Sequence, residues 1–89
     1  MKVNFKKITY KEVDINFQKI FDFINSERDY PNPIDIAQYF EYNSIYCLLK
    51  THDLTEFSLH NDENNDVIEY ITSEFYDWVE DNTKKFKLC

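Results

Sequence analysis

None of the 89 residues is glycine, and this absence limits the backbone more than any other feature of the chain. Glycine alone takes positive φ at little steric cost, so tight hairpins, phosphate-cradling loops and strained catalytic turns usually recruit it. Asn can replace it at some of these positions, and nine are available. The sequence therefore favours helices and polar connections over glycine-built nucleotide or nucleophile turns.

The length allows one domain, residues 1–89, with no second core. Hydrophobic residues make up 43% of the chain, including eight Phe, seven Tyr and Trp78. That is enough large apolar surface to close a core without a disulfide or a metal. No run approaches the roughly 18 apolar residues of a membrane helix. The segment Met1–Lys7 is basic but lacks the apolar stretch and cleavage site of a secretory signal. The expected location is cytoplasmic, with Cys47 a packed free thiol and Cys89 a loose one.

The expected fold class is mainly α, with three to four helices at about 10–27, 33–42, 45–52 and 67–86. Thr9 and Glu12 read as a capping box for the first helix, followed by Val13, Phe17, Ile20, Phe21 and Ile24 on one stripe. Ile15 and Phe23 fall off that stripe. Asn32 as N-cap, Pro33 at the first helical position and Asp35 in the first turn start the second helix, with Ile36, Ala37 and Phe40 inward. Asn43-Ser44 breaks it and caps the third, which turns Ile45, Leu48 and Leu49 inward. Asp66 reads as the cap of the last helix, whose inner face carries Val67, Ile68, Ile71, Phe75, Trp78, Val79 and Phe86. Alternation in residues 2–8 and 54–60 suggests a minor two-stranded ribbon pairing these segments, and hence an α+β variant.

Charge is distributed unevenly within a net −7. All 17 acids fall between residues 12 and 81, against only Lys19, Arg28 and Lys50. Between Thr51 and Thr83 there are ten acids and no Lys or Arg. Lysines collect at the two ends, at positions 2, 6, 7 and 11 and at 84, 85 and 87. Glu69, Asp77, Glu80 and Asp81 share the face of the last helix opposite its apolar stripe, flanked by Tyr70 and Tyr76. Helix-surface charges are commonly just solvated, and Glu80–Lys84 and Asp81–Lys85 are ordinary i,i+4 pairs. A one-sign surface also steers a protein toward an oppositely charged partner. Tyrosines beside it, with Tyr39, Tyr42 and Tyr46 off the inner faces of their own helices, suit interface anchors.

Other constellations are weaker. Residues 33–53 resemble a helix-turn-helix, but the second helix offers Lys50 and His52 without an arginine, beside Glu41 and Asp53. DNA affinity depends largely on neutralising phosphates. Asp62, Asn64 and Asp66 match the start of a calcium loop, yet Val67 stands at its glycine position and Ser73 at its bidentate-glutamate position. Cys47, His52, His60 and Cys89 lack the spacing of a structural zinc site. Cys47 and His52 are five residues apart but have no oxyanion hole to serve them.

The expectation is a non-enzymatic protein-binding domain without cofactor, metal or catalytic residues. It would act as an acidic inhibitor, antitoxin or immunity-type protein that occupies a basic, nucleic-acid-handling surface on a target protein. The contact set is Glu69, Asp77, Glu80 and Asp81, then Tyr70 and Tyr76. Two alternatives stand beside it: a small winged-helix or helix-turn-helix DNA-binding regulator, and an accessory subunit of a larger complex. Nucleic acid and membrane are disfavoured as partners, and the aromatic content leaves a homodimer open.

Overall fold

The computed structural model describes residues 1–5, 12–52, 54 and 64–86, with residues 83–86 described by backbone alone. The order of elements is β1 (Lys2–Asn4), β2 (Glu12–Asp14), α1 (Phe17–Arg28), α2 (Pro33–Tyr42), α3 (Ser44–His52) and α4 (Asn65–Phe86). The protein is mainly helical with a minor two-stranded antiparallel sheet.

Among the described residues the ribbon is formed by β1 and β2. β1 pairs with β2, setting Lys2 opposite Asp14, Val3 opposite Val13 and Asn4 opposite Glu12. The pairing expected for 2–8 was with 54–60. Residues 6–8 and 55–60 lie outside the described residues, and Leu54 is buried without being in a strand. Segments this close in sequence pair at a small cost in chain entropy.

This pairing also moves the start of the first helix. Glu12 belongs to β2 rather than to a capping box, and Thr9 lies outside the described residues. Val13 and Ile15 are both buried because the chain there is extended and alternates with period two. Ile15, anomalous on a helical stripe, is thus in register on a strand and its extension. The helix starts at Phe17, where Asn16 caps it by accepting a hydrogen bond from the Lys19 N–H at 3.1 Å.

The second helix follows the sequence reading closely. The Asn32 side chain accepts from the Ile34 N–H at 3.1 Å, Pro33 occupies the first turn, and Ile36, Ala37 and Phe40 are buried. Asn43 alone separates α2 from α3. Its N–H donates to the Tyr39 carbonyl, closing one helix, and its carbonyl accepts from the Cys47 N–H, opening the next. On α3 the fully inward residues are Cys47, Leu48 and Thr51, with Ile45 and Leu49 half-buried against the core. α4 begins two residues earlier than expected, so Asp66 is a first-turn acid rather than the cap. An acid there still complements the helix dipole.

Aromatic contacts hold the helices to one another. Phe75 of α4 meets Phe40 of α2 edge-on at 5.0 Å between ring centroids and Phe17 of α1 at 5.7 Å. Trp78 stacks against Phe75 at 6.1 Å and receives Phe21 at 5.8 Å. Such pairs add roughly 0.5–1.5 kcal/mol each beyond the area they bury.

Candidate functional site

The inner face of α4 is set by Ile68, Ile71, Phe75 and Val79, all buried. Helical geometry then turns Asp66, Glu69, Ser73, Asp77 and Glu80, spaced by three or four residues, to the opposite side, with Tyr70 and Asp81 beside them. All seven are exposed. Five are carboxylates, and Glu69 to Glu80 alone spans about 16 Å along the axis. Glu74 sits half-buried at the edge of this face. The four acids singled out in the sequence therefore share one solvent-facing surface, and Tyr70 stands on it with 52% of its surface exposed.

Tyr76 is placed differently. It is half-buried against the core, and its hydroxyl donates to Glu41 Oε2 at 2.8 Å. Burial, and then the hydrogen bond to Glu41, push its phenol up to about 12. Its ring and hydroxyl join α4 to the end of α2, next to Tyr42. Tyr42 is 83% exposed, more open than any other large hydrophobic side chain among the described residues. Glu41 and Tyr42 extend the surface beyond α4. No sequence pattern brings them in, since Glu41 and Tyr76 are 35 residues apart.

The helix-turn-helix segment shows little that suits a phosphate backbone. The exposed residues of α3 are Tyr46 and Lys50. The Tyr46 hydroxyl donates to Glu27 Oε1 at 3.1 Å, and Lys50 Nζ lies 5.9 Å above the Tyr46 ring. The chain's one arginine, Arg28, rests over the Tyr39 ring at 5.2 Å, at the end of α1 rather than on α3.

Cys47 and His52 do not form a nucleophile–base pair. Cys47 is fully buried, and burial pushes its thiol up to about 12, so it stays protonated at neutral pH. The imidazole of His52 is engaged elsewhere. Its Nε2 accepts from the Asn16 N–H at 2.9 Å, and its Nδ1 meets Thr51 Oγ1. The Thr51 hydroxyl donates in turn to the Cys47 carbonyl at 2.7 Å. Among the described residues no group of three His, Cys, Asp or Glu side chains is placed to hold a metal ion, and no helix is long and apolar enough to cross a membrane. His60, Asp62 and Cys89, candidates for zinc or calcium ligation, lie outside the described residues.

Compared with known proteins, the chain matches no family model, no curated protein and no solved structure.

Proposed function

We propose that this protein is a non-enzymatic binding domain whose α4 outer face occupies a basic surface on a target protein, as an acidic inhibitor, antitoxin or immunity-type protein would. The observation that carries this reading is the row of exposed carboxylates, Asp66, Glu69, Asp77, Glu80 and Asp81, on one face of a single 22-residue helix. Carboxylates fixed on a helix are already arranged before the partner arrives, so less ordering entropy is lost on binding. Their common sign speeds encounter with a cationic surface and makes the association weaken with salt. Exposed Tyr70, and Tyr42 beside the Glu41–Tyr76 contact, supply apolar area that charge alone lacks. A nucleic-acid-handling surface is the natural basic target, because it is built to receive a regular series of negative charges.

The test uses the wild-type protein and a variant combining Glu69→Gln, Asp77→Asn, Glu80→Gln and Asp81→Asn as baits in extracts of the source cell. The expected result is a basic protein retained by the wild type, released by salt and lost with the variant. Capture that is indifferent to the four substitutions overturns the reading. A gel shift with duplex DNA separates it from a DNA-binding regulator: no shift is expected at any salt concentration, and a salt-sensitive shift would favour the regulator.

A further inference from the structure

Three polar groups of Asn16 are engaged at the start of α1. Its side chain accepts from the Lys19 N–H, its carbonyl accepts from the Ile20 N–H, and its own N–H donates to His52 Nε2. A backbone N–H can only donate, so Nε2 must present a lone pair. The imidazole proton therefore sits on Nδ1, facing Thr51 Oγ1, whose hydroxyl proton is already committed to the Cys47 carbonyl. One arrangement of protons satisfies this chain, and it requires a neutral ring.

We propose that His52 is an acid-sensitive latch that fastens the end of α3 to the junction of β2 and α1, closed while the imidazole is neutral and released when it is protonated. Protonation would set an N–H on Nε2 against the Asn16 N–H, turning an attractive contact into two donors facing each other. The latch joins residues 36 positions apart. The segment it grips is held on its other side by the Ile15 N–H bond to the Met1 carbonyl.

Among the described residues, the charged groups around the ring come from two elements. Lys19 of α1 and Glu12 and Asp14 of β2 line the groove that His52 shares with Asn16. Asp14 is itself paired with the Met1 amino group at 3.1 Å. Burial first, and then Lys19, hold the imidazole below its ordinary range, while Asp14 opposes them. The folded-state value is thus depressed, and the sign of the linkage follows. The contribution to stability is present above the unfolded value of 6.5 and is lost as pH falls through the folded value. The latch lies apart from the acidic face of α4 and does not depend on it.

The test starts from a His60→Gln background, which leaves one histidine. NMR titration is expected to show the Nδ1–H tautomer at neutral pH and a midpoint below 6.5. The exchange protection of the Asn16 amide should drop about tenfold across the same titration, the equivalent of one lost hydrogen bond. Urea midpoints between pH 7 and 5 should fall further in this protein than in the further variant His52→Gln, whose carboxamide offers an acceptor that does not titrate. A midpoint at or above 6.5, or Asn16 protection that ignores the titration, overturns the latch. So does an unchanged pH dependence in His52→Gln. If that variant does not fold, the two NMR measurements decide alone.

Discussion

Asp29 ends α1 with φ 50° and ψ 51°, and no other described residue has positive φ. Its N–H still donates to the Asn25 carbonyl at 3.0 Å, so the helix terminus is closed at the expense of a left-handed L-residue. In most chains glycine would stand here. Replacing Asp29 with Gly is therefore expected to stabilise the protein by about 0.5 kcal/mol, since relief of the backbone strain exceeds glycine's extra unfolded-state entropy. Urea denaturation with an unchanged slope would show it as a higher midpoint, and a lower midpoint would contradict it. Other helix ends are closed by Asn, at Asn16, Asn32 and Asn43, whose short polar side chains and backbone groups take the terminal hydrogen bonds. Asn32 was legible in the sequence because Pro33 follows it. Asn16 was not, because Thr9 and Glu12 offered an equally good local cap further upstream.

At the scale of the element, α4 is held inward by apolar residues and crowded outward by like charges. Asp77 has Glu74 and Glu80 three residues away and Asp81 four residues away, and like charges at these spacings destabilise an isolated helix by about 0.2–0.5 kcal/mol each. Asp77→Asn should therefore raise the melting temperature at low ionic strength, with a gain of roughly 0.5 kcal/mol that shrinks in high salt. The same substitution should weaken binding if the acidic face is the docking surface. A variant less stable at low salt would show that Asp77 makes a favourable contact instead. Period-3.6 reasoning located this helix and its two faces within two residues. It failed at the other end of the chain, where Val13 and Phe17 keep helical spacing although Val13 lies on a strand and Phe17 on a helix. Four residues separate two inward positions in either structure, so spacing alone could not tell them apart.

For the whole molecule, the joint that matters most is Phe75, fully buried and in ring contact with Phe17, Phe40 and Trp78. It ties α1 and α2 to α4 through one side chain. Phe75→Ala should cost about 3–5 kcal/mol, a large share of the reserve of a chain this size, which at roughly 0.05–0.15 kcal/mol per residue is about 4–13 kcal/mol. The expected outcome is a large drop in the urea midpoint, with Trp78 fluorescence and far-ultraviolet circular dichroism changing together. A loss of fluorescence change with helicity retained would mean that the helices are held by other contacts.

Composition and local pattern determined that the chain is mainly helical, where its last three helices lie and which of their faces turn inward, and that one stretch of the chain carries acids without a Lys or Arg. These properties depend on residues three or four apart, and nearest neighbours decide them. Tertiary structure decided the rest. It paired β1 with β2, spent the Tyr76 hydroxyl on Glu41, buried Cys47 beyond reactivity and brought His52 to the Asn16 amide. Each of those outcomes joins positions further apart than the three or four residues of a helical pattern, or depends on what solvent is excluded. The glycine-free backbone belongs to both levels. Its absence was plain from the residues, but only the fold shows that Asp29 occupies the left-handed position where glycine would have been cheapest.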